Sequence, residues 1–316
     1  MLGLGLASSH APAMFCPPEV WPFAYSTIPE YMKASQPRTA KEETPEVIRG
    51  YVQRIDAAFN VLRAQLDAYR PDAVIFVGDD QGDMFTPEVN PAICVYTGES
   101  VWGSTTSFYM REPAEKSRRF FPVHQPLAKY ILDGLFEHEF DPANAATMKP
   151  PTDPHARGTS HMIVLPAPRI LPRLDIPIIP IFINEYYPPL PKASRCFRLG
   201  EALAEILKNR PERVAIYASG GLSHDPQGPR SGWIDEPLDR WVLDRIATNR
   251  GKDLSNLFTF DSDTVRGGTA EIRAWIVAAG ACQRPATVVD YVRAHHTKTG
   301  LGFAFWPEVA EQARAA

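Results

Sequence analysis

Two patterns of apolar and polar positions alternate along the chain. Short apolar runs rich in β-branched residues are typical of buried strands, whereas apolar residues that recur every three or four positions are typical of helices with one buried face. The first pattern predicts strands at residues 2–7, 72–78, 92–97, 177–184, 214–220 and 300–306. The second predicts helices at residues 43–69, 125–138, 192–209, 236–249 and 269–280. Their alternation predicts an α/β fold: a single domain over residues 1–316 with a layered, mostly parallel or mixed central sheet flanked by helices.

Composition and charge narrow the class of function. The 316 residues are 44% hydrophobic and 22% charged, which is enough to bury a full core. The net charge is −4 and no basic block is present, so a nucleic-acid or anionic membrane surface is not expected. No apolar run approaches the roughly 20 residues of a membrane helix. The four cysteines are far apart and contain no C-x-x-C pair, which favours a reducing cytoplasm.

Polar clusters follow three of the predicted strands. SSHAPA places His10 just after the first strand, GDDQGD at 78–83 follows the second, and SGGLSH places His224 after the strand at 214–220. Open α/β sheets bind ligands at the carboxyl ends of their strands. If these strands are parallel neighbours, the three clusters converge at one edge of the sheet.

Glu271 adds a carboxylate to these candidates. It lies in the first turns of the apolar helix GTAEIRAWIVAAG, where helical spacing brings it near Trp275 and towards the core. The alternative is a solvated first-turn carboxylate that the helix dipole favours. Two imidazoles and a carboxylate with open coordination positions are what non-haem Fe(II) chemistry uses. His10, His224 and Glu271 are the residues that fit this description.

Seven segments together form a distinctive pattern from one end of the chain to the other. They are SSHAPA, the strand leading into GDDQ, HQPLAKYI at 124–131, RCFRLGEAL at 195–203, SGGLSHDPQGPRSGWID at 219–235, TAEIRAWIVAAGA at 269–281 and GLGFAFWPE at 300–308. In these segments the chain resembles the B-subunit type of class III extradiol ring-cleavage dioxygenases, the group of protocatechuate 4,5-dioxygenase.

The resemblance implies a function and a set of roles. It implies a non-haem Fe(II) enzyme that uses O2 to open the ring of a small catechol-, gallate- or aminophenol-like aromatic. His10 and Glu271 match the family's iron ligands, His224 matches its acid and base, and His124 lies in a segment close to the substrate. The family commonly assembles into oligomers, so a homo-oligomer is expected, with a small second subunit as a further option.

Gln81 is the main departure from the family pattern. GDDQ has a histidine in the family where this chain has Gln81, and that histidine is the second imidazole on the iron. Three explanations stay open: Gln81 coordinates through its amide oxygen, His155 or His161 fills the position, or iron binding is lost. The sequence favours a site made of His10, Gln81 and Glu271.

The neighbouring carboxylates and the substrate contacts are less distinctive. Asp79 and Asp80 are expected to support the site or cap the strand end. Arg230, Arg157 or Lys298 could face an anionic substrate, and Arg230 lies in the best-matched segment. His155, His161 and Thr297 are the further candidates for substrate contact.

Two other functions remain compatible with the sequence. A site with a single imidazole suits a metal-dependent hydrolase or decarboxylase on the same scaffold, which handles water instead of O2. The chain could also be a non-catalytic partner subunit that binds an active homologue.

Overall fold

A computed structural model describes residues 1–149, 157–226 and 228–308. Its centre is an eight-stranded mixed sheet with the strand order β6-β3-β7-β2-β8-β1-β10-β9, and β4 and β5 form a separate two-stranded sheet. The strands are β1 (Leu2–Ser8), β2 (Ala73–Gly78), β3 (Ile93–Tyr96), β4 (Ser100–Ser104), β5 (Arg118–Pro122), β6 (Ala143–Ala145), β7 (Ile178–Ile183), β8 (Val214–Ser219), β9 (Thr287–Ala294) and β10 (Thr299–Trp306).

Helices of very different length connect these strands. They are α1 (Trp21–Ser26), α2 (Glu30–Lys33), α3 (Pro45–Tyr69), α4 (Gln125–Glu137), α5 (His161–Val164), α6 (Ala167–Ile170), α7 (Ala193–Leu207), α8 (Glu236–Ala247) and α9 (Ile272–Cys282). α3 begins as its sequence predicts, because the Thr44 side chain accepts a hydrogen bond from the backbone of Val47 and Pro45 occupies the first turn.

The four central strands are parallel. β7, β2, β8 and β1 run side by side, and the register pairs Ser8 with Ser219 and Val77 with Ala218. The carboxyl ends of β1, β2 and β8 therefore lie at the same level on one edge of the sheet. β10 pairs antiparallel with β1, and β9 pairs with β10 as the edge strand on that side.

Helices cover both faces of the sheet. Gly302 of β10 faces Trp275 of α9, whereas the next residue, Phe303, packs its ring 5.4 Å from Phe59 of α3. Successive strand residues point to opposite faces, so α9 and α3 lie on opposite sides. α7 packs against α9, and Gly200 is required there because a Cβ at that position would lie 2.0 Å from the Val277 carbonyl oxygen.

The predicted fold class is confirmed, and most element bounds agree within two residues. One difference is at the helix predicted from residue 269: a 3-10 turn over Gly267–Glu271 comes first, and the α-helix begins at Ile272. β9 was not predicted. It is an edge strand with mostly half-buried residues, so its apolar pattern is weak. Among the described residues, no helix has the length and apolar character needed to cross a membrane.

Candidate metal centre and substrate cavity

Three buried side chains meet where the parallel strands end. His10 follows β1, Asp79 follows β2 directly, and Glu271 ends the 3-10 turn before α9. His10 Nε2 lies 3.3 Å from Glu271 Oε2 and 3.9 Å from Asp79 Oδ1. One ligand atom from each of the three lies within 4.8 Å of the others. This spacing is that of donors that could share one cation.

Polar atoms at this point lack hydrogen-bond partners. Among the described residues, His10 Nε2 and both carboxylate oxygens of Asp79 are buried without one. The other ring nitrogen of His10, Nδ1, is 3.0 Å from Ser219 Oγ. If Nδ1–H donates to that hydroxyl, Nε2 presents a lone pair towards the carboxylates, which is the arrangement of a metal-binding imidazole. Because buried polar groups are nearly always satisfied, these atoms fit a cation.

Electrostatics at the centre also favour a cation. Burial raises the pKa of Asp79 well above its usual range, and the nearby carboxylates of Glu271 and Glu185 raise it further. Burial likewise lowers the pKa of His10. In both groups burial disfavours the charged form, and at Asp79 the neighbouring carboxylates add to that effect. A divalent cation would reverse this by stabilising the ionised carboxylate and the neutral imidazole.

Glu271 is held by several donors. The backbone N–H of Gly221 donates to Oε2 at 2.6 Å, and the hydroxyl of Tyr186 donates to Oε1 at 2.7 Å. Gly220 and Gly221 have φ of +148° and +58°, a turn that the glycine pair after β8 makes accessible. Burial alone would raise the pKa of Glu271, but His224 and His10 together hold it well below its usual value.

Gln81 contacts the carboxylate ligand. Its side-chain nitrogen Nε2 donates to Glu271 Oε1 at 2.7 Å. The opposite amide orientation would place two acceptors face to face, so hydrogen-bond chemistry favours the nitrogen on this side. Gln81 thus orients Glu271, and its own coordination through the amide oxygen stays a prediction.

His224 lies beside Glu271 with a defined tautomer. Its Nδ1 is 2.9 Å from the Leu222 carbonyl oxygen, which can only accept, so Nδ1 carries a proton. Its Nε2 is 3.2 Å from Glu271 Oε1 and 3.4 Å from the Tyr186 hydroxyl. Burial would lower the pKa of His224, but the charge of Glu271 and the hydrogen bonds outweigh it and raise the pKa. His224 is placed to take or return a proton.

These residues border a cavity of about 620 Å³. Its walls combine the polar centre with aromatic rings, a combination typical of small-molecule sites. Among the described residues its lining includes His10, Gln81, His161, His224, Phe108, Tyr109, Tyr186, Tyr187, Thr27, Thr297, Lys298, Thr299 and Asp225.

The structure brings some predicted substrate contacts to the cavity and leaves others outside. Thr297 lines it, and His161 does too, with its ring centroid 4.5 Å from that of His10. Arg230 does not line it and instead lies over the ring of Trp233 at 5.6 Å. His155 lies outside the described residues.

His124 lies at the opposite end of the sheet. Its backbone N–H donates to the carbonyl of Ile178, the first residue of β7, and its Nδ1 accepts a hydrogen bond from the Leu127 backbone at 3.3 Å. His124 therefore caps α4 and does not border the cavity. The resemblance implies that His124 lies close to the substrate. The structure corrects this expectation, because the segment of His124 meets the amino end of β7.

Sequence reasoning gave too little weight to three candidate functional residues. Asp79 was expected only to support the site, yet it is the first residue beyond β2 and shares the level of His10. Tyr186 follows β7, and its hydroxyl donates to Glu271, a contact for which the sequence carries no signal. Lys298 was one of three possible cations, and it is the one that lines the cavity.

Comparison with known proteins assigns the family. The family model of the catalytic LigB subunit of aromatic ring-opening dioxygenases matches residues 27–305, which is most of the chain. The chain belongs to this family. A solved structure of an uncharacterized Escherichia coli K12 protein shares 12% identity over 96% of this chain with a TM-score of 0.48, which is too distant to add to the assignment.

Several curated proteins are similar to this LigB-family chain. A 2,3-dihydroxyphenylpropionate/2,3-dihydroxicinnamic acid 1,2-dioxygenase of Photorhabdus laumondii is 26% identical over 63% of this chain and 56% of its own length. The protein of the same name from Rhodococcus globerulus is 25% identical over 72% of this chain and 81% of its own. A gallate dioxygenase of Pseudomonas putida is 30% identical over 50% of this chain and 45% of its own. The similarity thus covers about half the length of most of these relatives.

Proposed function

We propose that the protein is an Fe(II)-dependent dioxygenase that uses O2 to open the ring of a catechol-, gallate- or aminophenol-like aromatic. The observation that carries the proposal is the meeting of His10, Asp79 and Glu271 at one point beside His224, on the wall of an aromatic-lined cavity. Family membership and the printed names of the relatives support the same reaction class.

The donor atoms present fit a divalent metal ion. One imidazole and two carboxylates, three of whose atoms are buried without partners, would hold it through His10, Asp79 and Glu271. Bound iron(II) would supply the redox chemistry that O2 requires and would lower the pKa of a ring hydroxyl. Gln81 and Tyr186 donate to Oε1 of Glu271, and the backbone N–H of Gly221 donates to Oε2. Together these hydrogen bonds fix the rotamer of Glu271.

His224 supplies the proton chemistry in this proposal. Its Nδ1–H is committed to the Leu222 carbonyl, so its Nε2 is the atom that exchanges a proton with a ring hydroxyl in the cavity. Glu271 stabilises the imidazolium that forms. Phe108 and Tyr109, on the lining of the same cavity, present apolar surface to a flat ring and help to exclude water.

The cellular setting is a further part of the proposal. Cys16, Cys94, Cys196 and Cys282 are free and buried, which supports a reducing cytoplasm. A homo-oligomer, with a small second subunit as an option, stays a prediction from the resemblance.

One observation favours a second candidate function. Two carboxylates and one imidazole form a harder donor set than two imidazoles and one carboxylate, and they also suit Mn²⁺ or Mg²⁺. A metal-dependent hydrolase or decarboxylase would use such an ion with the same His224.

Metal analysis followed by an oxygen assay tests the proposal. The purified chain is loaded anaerobically with Fe(II), and O2 uptake is measured with a panel of catechols, gallate and aminophenol. We expect stoichiometric iron and ring-opened product with at least one diol. If O2 uptake stays at background with every compound of the panel, the dioxygenase is ruled out. Turnover of one of these compounds with Mn²⁺ or Mg²⁺ under nitrogen would favour the second candidate.

A further inference from the structure

We propose that the 3-10 turn Gly267–Glu271 positions the imidazole of His224, with Gly268 and Thr269 as the positioning residues. One short segment would then fix both the carboxylate Glu271 and the acid and base beside it. The consequence for catalysis rests on the proposed ring-opening function, whereas the placement of the imidazole does not depend on that reaction.

Thr269 is the hydrogen-bond partner of the His224 main chain. The Thr269 hydroxyl accepts the backbone N–H of His224 at 3.1 Å, and the Thr269 backbone N–H donates to the His224 carbonyl oxygen at 2.9 Å. The hydroxyl proton can also be donated to that carbonyl, which lies 3.2 Å from Oγ1. Thr269 is only 2% exposed. A valine there keeps the shape but leaves the His224 N–H buried without this acceptor, which is costly.

Gly268 is the surface on which the His224 ring packs. A Cβ at Gly268 would lie 2.1 Å from His224 Nε2 and 2.4 Å from Cδ2 and Cε1 of the same ring. Even an alanine at this position would therefore displace the imidazole. Because Nε2 is the atom that lies 3.2 Å from Glu271 Oε1, the missing side chain at Gly268 lets the ring approach the carboxylate.

The same turn is joined to the segment before His224. Oε2 of Glu271 accepts the backbone N–H of Gly221 at 2.6 Å. Trp275 lies one helical turn after Glu271, and its Nε1 donates to the Gly220 carbonyl oxygen at 2.8 Å. The proposed metal ligand and the acid and base therefore share one hydrogen-bonded frame. Such a frame keeps the distance between them fixed, as a reactive geometry requires.

NMR of the imidazole rings tests the placement without metal or turnover. The metal-free full chain carries isotopically labelled histidine, and the His224 signals are assigned by their loss in His224→Gln. At one fixed pH, we expect Thr269→Val and Gly268→Ala to shift the His224 ring signals from their wild-type positions. Thr269→Ser keeps the hydroxyl and should retain the wild-type signals.

Kinetics of the Fe(II)-loaded variants separate positioning from general stability. We expect Thr269→Val to lower kcat by about 10- to 100-fold with KM and iron affinity within about twofold, because a misplaced acid and base slows proton transfer and not ring binding. Gly268→Ala should lose at least as much. Thr269→Ser should recover kcat to within about threefold of wild type, since its hydroxyl accepts the same N–H.

Thr97→Val is the matched control. Thr97 is as buried as Thr269 and its hydroxyl donates to Asn144 Oδ1, but it follows β3 at the amino end of β7. It should leave kcat and the His224 signals unchanged.

Two results would overturn the inference. One is a folded Thr269→Val or Gly268→Ala protein with wild-type His224 signals and kcat. The other is a loss in Thr269→Val that Thr269→Ser fails to recover. If Thr269→Val does not fold, Gly268→Ala provides the same readouts. If the His224 signals shift as expected but no diol supports O2 uptake, the positioning role stands and the ring-opening function fails.

Discussion

The two ends of the central sheet differ in how their polar side chains are hydrogen-bonded. At the amino end, the Asp72 carboxylate accepts the Arg213 backbone N–H at 2.7 Å, and His124 caps a helix. At the carboxyl end, polar atoms are buried without partners. Of the seven such side-chain atoms in the described residues, five belong to His10, Asp79 and Glu185, which all follow parallel strands. Paired groups stabilise the fold, whereas unpaired ones indicate a site that needs a ligand.

Removing one carboxylate from the carboxyl end should have the largest effect. Asp79→Asn keeps the shape but removes a charge from the metal site, and we expect iron affinity to fall by about 10³-fold or more, beyond the roughly 10- to 100-fold typical of a residue that only supports a ligand. Gln81→Ala removes only a donor to Glu271, so a loss of about 10- to 100-fold is expected. Competition with a fluorescent chelator under nitrogen measures both affinities.

The order of these two losses decides between the donor sets. If Gln81→Ala abolishes iron binding while Asp79→Asn retains it, the amide is the ligand and Asp79 only supports the site. Gln81→His then provides a further check, since an imidazole at that position should raise affinity only if the side chain can reach the metal.

A pair of histidine substitutions sharpens the comparison of the two ends. His224→Ala should retain iron and lower turnover by about 10²- to 10⁴-fold, because it removes a positioned acid and base. His124→Ala should leave turnover within about twofold and lower the free energy of unfolding by about 1 kcal/mol, the typical value of a helix cap. Stopped-flow O2 uptake and urea unfolding measure the two quantities. A large loss of turnover in His124→Ala would contradict the placement of that residue.

The fold was largely predictable because buried strands and one-sided helices have strong local signals. β2 and β8 are buried along their whole length and almost entirely apolar, and their parallel pairing follows from the α/β alternation. The edge strand β9 lacked such a signal. The convergence of the strand ends was also predictable, since it needs only strand direction and order, and it brings His10 and Asp79 together after β1 and β2. The pairing of His10 with Glu271 came from the resemblance, because Glu271 ends a 3-10 turn and does not follow a strand.

Contacts between side chains far apart in sequence were not predictable. Nothing local distinguishes Asp79 from Asp80, but in the structure Asp80 accepts the backbone N–H groups of Met84 and Phe85 in its own loop, whereas Asp79 accepts none. The resemblance alone implied that His124 lies near the substrate. In the structure His124 instead caps α4 at the amino end of the sheet.

A pH-dependent stability difference is the smallest effect that separates the two ends. Asp239, buried in α8, accepts hydrogen bonds from the backbone and hydroxyl of Ser223 and from the Tyr291 hydroxyl, and so supports the turn that carries His224. Burial raises its pKa to about 7. Its folded state therefore binds more protons than its unfolded state between about pH 4 and pH 7. Its contribution to stability is fully present below pH 4 and is lost as the pH rises through 7.

Asp239→Asn should remove this dependence, because the amide keeps an acceptor and does not titrate. We expect the free energy of unfolding of the variant, relative to wild type, to rise by about 3 kcal/mol between pH 4.5 and pH 8. Urea unfolding across that range measures the difference, with Asp72→Asn, at an exposed position on the amino end, as the control. A constant difference for Asp239→Asn would mean that its three donors stabilise the carboxylate fully. In that case the uncompensated charges of the carboxyl end would be confined to the metal centre, where a cation can neutralise them.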